Sequence, residues 1–333
     1  MKKLIAVSLA LALVLSLGVS YTVVADEVVT NATVGGSGSA PFICAKWETP
    51  DHDPAPGTQI MPVPGDARIV KFYVVVGDPN GVDDIASVDV TVRYPDGTEK
   101  YQLRAIRPTW TQIPWGGLVD MDGDCTGETD ITTAMNSLNA QGRITFGPGQ
   151  TLSQVLYDIE HGKQLLIELV GEMDYHQPSC DYTVQAFGTD GGGNSGEIVS
   201  NTFFYISIVA LRIDFNTINF GTVNVDDWNI LYGDADMSTP ARPTVWNIGN
   251  DPAHIMLHAT PMIGAVQGKP IEDFDAFMLG ERVEFKAGVD TIIPSILPPC
   301  TPTQIDFSLH PPYGTPQDSY SGTMTISILH ATP

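Results

Sequence analysis

The densest set of candidate ligands in the chain is Asp120-Met-Asp122-Gly-Asp124-Cys-Thr-Gly-Glu128-Thr-Asp130. Alternate carboxylates on a glycine-bearing loop can turn several oxygens onto one hard cation, as Ca²⁺ requires. The opening Asp-x-Asp-x-Asp matches the start of an EF-hand loop. Cys125 then stands at the sixth position, where the sharp turn needs glycine, and no bidentate acid falls at the twelfth. That excludes an EF-hand and leaves two readings of Asp120, Asp122, Asp124, Glu128 and Asp130: a looser Ca²⁺ site, or a solvated acidic loop closed by a disulfide. Asp78, Asp83 and Asp84 flank Asn80-Gly81. Asp and Asn beside Gly bond their own backbone, so turn and cap roles are expected there. The same holds for Asp234 and Asp236, and for Glu272, Asp273 and Asp275.

Candidate bases and nucleophiles are scattered. The seven histidines are dispersed, and His254 and His258 share i,i+4 spacing within a β-patterned run, where that spacing sets them on one face but far apart. Gly-x-Ser-x-Gly, His-Glu-x-x-His and a phosphate loop are all missing from the sequence. A glycosidase carboxylate pair has no sequence spacing, and nothing points to one. The expectation is a protein that is not an enzyme. Trp110 and Trp115 bracket Pro114 in one loop, where an exposed pair would stack on sugars or enter an interface and a buried pair would cover a sheet edge.

Location comes from the first 25 residues. Lys2 and Lys3 precede an apolar run, Leu4–Val19, and Val23-Val24-Ala25 stand before Asp26. Basic start, short apolar stretch and small exit residue make a secretory signal peptide with a predicted cut after Ala25. Two of the 16 basic residues precede that cut and all 39 acids follow it, so the exported chain carries a formal charge of −25. Such a chain repels nucleic-acid phosphates and anionic lipid. No later run approaches the ~18 apolar residues of a membrane helix, so no stable span is expected after cleavage. Outside the membrane Cys44, Cys125, Cys180 and Cys300 are free to oxidise. Four cysteines allow three pairings. Cys125–Cys180 is the first expectation, with Cys44–Cys300 either bridged or both free and buried. Asn31-Ala32-Thr33 is the single glycosylation sequon.

Residues 26–40 hold a β-prone segment, Asp26–Val34, and a Gly/Ser tether from Gly35 to Ser39. From residue 41, β-branched and aromatic runs between turn signals predict strands at Phe42–Trp47, Ile69–Val76, Ser87–Arg93, Glu99–Ala105, Gln164–Gly171, Tyr182–Gly188 and Thr202–Ile208. Val74-Val75-Val76 reads as a central strand, and alternation along Val88–Val92 predicts one packed and one wet face. Five prolines from Pro50 to Pro64 predict a stiff surface loop. One helix interrupts the pattern: Thr151-x-x-Gln154 has capping-box form, Leu152, Val155, Leu156 and Ile159 share a helical face, and Gly162 closes it. A further helical turn is considered near Thr132–Leu138. From about residue 209 a second set of strands follows: Ala210–Phe215, Thr244–Asn247, His254–Ala259, Val283–Phe285, Gln304–Leu309 and Gly322–Leu329. The expected fold class is all-β, with two tandem β-sandwich domains at 41–208 and 209–333 and one short inserted helix in the first.

Several stretches carry a resemblance. Tyr182–Asp190 with Gly193-Asn194-Ser195, and Asp78–Ile85 with Val88–Val92, resemble strands and turns of immunoglobulin-like domains in prokaryotic surface proteins. Ile213-Asp-Phe215, Phe220-Gly-Thr-Val223, Val245–Asn250 and Ile255–Ala259 resemble a related sandwich. The antibody Cys–Trp–Cys arrangement is absent, and Asp226–Pro243 is longer and more acidic than the usual connection. The resemblance implies a secreted, extracellular or cell-surface protein that self-associates as a subunit of a filament, sheath or surface layer. The mechanism considered is donation of the Asp26–Val34 strand to a neighbour's open sheet edge. The alternative is an adhesin or carbohydrate-binding module, Ca²⁺-dependent or using Trp110 and Trp115, with surface proteins or glycans as partners.

Overall fold

The computed structural model describes residues 38–120, 129–266 and 269–331. They are predominantly strand, gathered into two groups of sheets. The first group comprises β1 (Phe42–Thr49), β2 (Thr58–Ile60), β3 (Ala67–Gly77), β4 (Ile85–Arg93), β5 (Glu99–Ile106), β6 (Thr111–Ile113), the short pair β7 (Leu118–Val119) and β8 (Thr129–Asp130), helix α1 (Ile131–Ala140), β9 (Thr145–Phe146), helix α2 (Leu152–Glu160), β10 (Gln164–Asp174), β11 (Cys180–Asp190) and β12 (Val199–Tyr205). Two five-stranded sheets result, ordered β6-β10-β3-β1-β9 and β2-β12-β11-β4-β5.

The period of two along β3 explains the layering. Val74 and Val76 enter a core shared with Val88 and Val90 of β4 and Val184 of β11, in the other sheet. Tyr73 and Val75 face the opposite way, into a separate core with Ala134 and Leu138 of α1 and Val155 and Ile159 of α2. A strand buried on both faces reads as an uninterrupted apolar run, which is why Val74–Val76 does not alternate. Both helices start on side-chain caps: Asp130 accepts from the Thr133 amide at 3.1 Å and Thr151 from the Gln154 amide at 3.4 Å. Gly162 follows α2 at φ +67°. The inserted helix is thus two helices, both packed on the first sheet.

The second group holds β13 (Leu211–Ile213), β14 (Asn229–Leu231), β15 (Thr244–Asn247), β16 (Ala253–Ala259), β17 (Ile263–Gly264), β18 (Asp273–Met278), β19 (Glu281–Lys286), β20 (Thr291–Ile292), β21 (Thr303–Gln304), β22 (Asp306–Leu309), β23 (Tyr320–Ser321) and β24 (Met324–His330). Its sheets are β13-β15-β21, β14-β22-β18-β19, β20-β16-β24 and the pair β17-β23, around a core that includes Phe215, Leu257, Phe274 and Phe307. The halves meet at the β10–β11 turn. Asn250 Nδ2 donates to the carbonyls of Gln177 (3.2 Å) and Ile206 (2.9 Å), Gly65 N–H to Ile248 O (2.9 Å), and Ser207 Oγ to Asp251 (2.7 Å).

Two local expectations need correction. β4 is not wet on one face: Ser87, Asp89 and Thr91 are buried. Gln102 and Arg104 of neighbouring β5 reach across to Asp89 and Ser87, which covers that face with polar partners. β18 lies where only an acidic turn was considered. Phe274, Ala276 and Met278 alternate into the core, while Asp275 pairs with Arg282 of β19. The proline-rich stretch stays peripheral, as expected, its three-residue β2 pairing at a sheet edge.

Candidate functional site: an open sheet edge

The carboxylates nominated for Ca²⁺ are not brought together among the described residues. Asp120 is buried and its Oδ2 accepts from Lys71 Nζ at 2.7 Å. Asp130 is spent on the α1 cap. Asp122, Asp124, Cys125 and Glu128 lie outside the described residues, as does Asn31. No group of three or more His, Cys, Asp or Glu among the described residues is placed to hold a metal ion. Asp234 and Asp236 accept from nearby amides and hydroxyls in turns.

Cys125, and with it the expected Cys125–Cys180 bridge, lies outside the described residues. Cys44, Cys180 and Cys300 are free thiols. Cys44 is enclosed in the helix-covered core and cannot meet Cys300, whose amide bonds to Asn247 O at the junction of the halves. Burial pushes the Cys44 thiol far above its ordinary range. Cys180 opens β11 with its Sγ 3.5 Å from Pro178 O. The two tryptophans also part company. Trp110 packs against the first core under Arg107, whereas Trp115 is 41% exposed. His254 and His258 have separate partners, Ser295 O and Asp290.

Two polar devices escaped the sequence reading. Lys46 and Glu48 of β1 are fully buried and paired at 2.9 Å. Lys46 Nζ also donates to Val184 O (3.2 Å) and to Asn201 Oδ1, and Asn201 Nδ2 donates to Glu48 at 2.6 Å. The ion pair therefore ties the first sheet to β11 and β12 of the second. Burial pulls the Lys46 ammonium below its ordinary range against the opposing pull of Glu48. Far from the junction, Asp84 and Asp190 crowd Gly38, where a Cβ would stand 3.0 Å from Asp190 and 3.1 Å from Asp84. Asp78 nearby is raised by burial and by both carboxylates, and its Oδ2 has no partner.

The most distinctive surface is in the second half. Among the described residues β24 ends its sheet and pairs only with β16. Thr260 N–H donates to Thr323 O and Ala331 N–H to Pro252 O at the two ends of this pairing. Bonded and non-bonded pairs alternate in an antiparallel ladder. The amides and carbonyls of Met324, Ile326, Ile328 and His330 consequently point away from β16, and none has a backbone partner among the described residues. Met324, Ile326 and Ile328 rest half-buried on the core. Beside them opens a cleft of about 430 Å³, walled by Ile213, Phe215, Ile218 and Phe220 opposite Met324 and Ile326. β13 across the cleft is also a sheet end. Unpaired strand groups next to unfilled apolar walls offer hydrogen bonds and burial to one further strand.

No protein-family model matches the chain, and no curated protein matches it significantly. Solved structures give weak matches, at low identity, to immunoglobulin-like domains of secreted, surface, adhesin and fimbrial proteins. The secreted serine protease VesC from Vibrio cholerae is 9% identical over 81% of this chain, with a TM-score of 0.20. This chain spans about half, 49%, of the VesC chain. A chaperone–tip adhesin complex of CFA/I fimbriae biogenesis is 7% identical over 85% of this chain and 98% of its own, at TM-score 0.32. The C-terminal domain of the Streptococcus pyogenes antigen I/II-family protein AspA is 11% identical over 87% and 95%, at 0.22.

Proposed function

We propose that the chain is an exported structural subunit of two tandem immunoglobulin-like β-sandwich domains, 41–208 and 209–333, that self-associates into an extracellular filament, sheath or surface layer. The observation that carries the reading is the open β24 edge over its apolar cleft. An edge of this kind on an exported chain favours pairing with another strand. Among the described residues no helix is long and apolar enough to cross a membrane. Electron microscopy and sedimentation of the exported chain across concentration test the proposal. Regular polymers are expected, and a chain that stays monomeric at every concentration, salt and Ca²⁺ level refutes it. An adhesive role is the second reading, favoured by the exposure of Trp115. Glycan binding that disappears in Trp115→Ala would support it.

A further inference from the structure

Resting on that reading, we propose that the β24 cleft is filled by residues 26–34 of a second copy of the chain, joining subunits head to tail. The first argument is the fit of pattern to groove. In Asp-Glu-Val28-Val29-Thr30-Asn31-Ala32-Thr33-Val34, one face of a strand carries Val28, Thr30, Ala32 and Val34, and the other carries Val29, Asn31 and Thr33. Only the first face suits apolar walls, since the second would place the Asn31 amide against Ile213, Phe215 and Ile326. That register also directs Asn31, the sequon asparagine, away from the cleft, where a glycan has room. β24 offers outward backbone groups at four residues along its seven, a length that a nine-residue strand covers.

The second argument concerns whose strand it is. Gly38 is held at the far end of β11: its carbonyl accepts from Asn194 Nδ2 at 3.1 Å, and Ser39 N–H donates to Asn80 Oδ1 at 2.8 Å. Val34 lies four residues before Gly38, so it is within about 14 Å of that anchor. From the anchor to the junction with the second half runs β11, eleven residues or about 36 Å of strand. The cleft lies beyond the junction at the Ala259 end of β16, a further seven residues or about 23 Å of strand. The hydrogen bonds joining the halves all cluster at the β10–β11 end of the first, and every residue lining the cleft belongs to the second. Gly38 is therefore anchored on the first half, whereas the acceptor cleft belongs wholly to the second. A donor and acceptor on different surfaces make a heterologous contact, which propagates as an open filament.

The test uses the chain from Asp26 onward, with Val28→Asp/Val34→Asp on the proposed buried face and Val29→Asp on the opposite one. These substitutions lie before the packed halves and leave the cleft unaltered. Polymerisation is followed by microscopy, and amide exchange is read at Met324, Ile326, Ile328 and His330. The parent and Val29→Asp should polymerise with those amides slowed at least about 100-fold, and the double variant should lose both effects. A synthetic peptide of residues 26–36 added in excess should shorten the polymers. Polymers from the double variant with freely exchanging edge amides would overturn the strand pairing while leaving self-association intact. Protected edge amides in a chain that stays monomeric would place the strand in its own cleft and overturn the exchange between copies. Free exchange without polymers would sink both this proposal and the structural role beneath it.

Discussion

Replacing Lys46 by Met removes one half of a buried ion pair whose other half stays in place. Glu48 is 0% exposed and would keep only Asn201 as a donor. Stripping one partner from such a pair costs about 3–5 kcal/mol, because the remaining charge is buried and uncompensated. For a cooperative unit of roughly 170 residues, the size of the first half, about 4 kcal/mol lowers the melting temperature by about 8–16 °C. Adding Glu48→Gln should restore most of the loss at pH 7, since the Gln oxygen still accepts from Asn201 and a neutral replacement of a buried pair is near neutral in stability. The assay is thermal unfolding by circular dichroism and calorimetry at pH 7. Lys46→Met melting within about 2 °C of the parent at pH 7 would refute the claim that this pair is sealed between the sheets.

Asp78→Asn should raise the melting temperature at neutral pH. A carboxyl whose folded pKa is raised favours the folded state while protonated and loses that advantage as pH climbs from its ordinary value, so the gain should be full at pH 7 and vanish near pH 3. A variant less stable than the parent at pH 7 would refute this. Cys44 should resist thiol reagents in the folded chain and react only on unfolding, whereas Cys180 and Cys300 label under native conditions; mass spectrometry of labelled peptides decides. Gly147→Ala would drive a Cβ onto the backbone carbonyl of Ile43 and should prevent the β1–β9 pairing, seen as a drop in melting temperature of several degrees. A variant that melts with the parent would show that β9 contributes little.

What could be read from the sequence was what a single strand or helix advertises by itself. Val74–Val76 announced a central strand, and Thr151 with Gly162 a helix start and stop. What could not be read depended on partners distant in sequence. Lys46 stands in an apolar run and looks like a surface position, because its partners Val184 and Asn201 are 138 and 155 residues away. Asp273 and Asp275 disguised β18 as a turn, since the arginine that accommodates Asp275 belongs to the following strand. Cys44 gave no sign of facing helices rather than solvent, because the side it faces depends on the bulge between Ile43 and Ala45. The open edge of β24 left no mark in its own sequence. Which strand lacks a neighbour is a property of the whole set of pairings.

That absence stands out against how the other sheet ends are protected. β2 and β6 are three residues long, β2 lies within the proline-rich stretch, and β9 has two residues. β5 carries Glu99, Lys100 and Arg104 along its edge, and β19 carries Glu281, Arg282, Glu284 and Lys286. Short length, proline and charge are the usual means by which a protein discourages pairing between edges. β24 has none of them: seven residues, Met-Thr-Ile-Ser-Ile-Leu-His, without proline, lysine or acid, beside an unfilled apolar cleft. A formal charge of −23 keeps copies apart by general repulsion. Repulsion of that sort is screened within about 8 Å at physiological salt and does not act on one particular edge. Among the described strands, short length, proline or charge marks the sheet ends named above and none marks β24, which favours that edge for the contact proposed between copies.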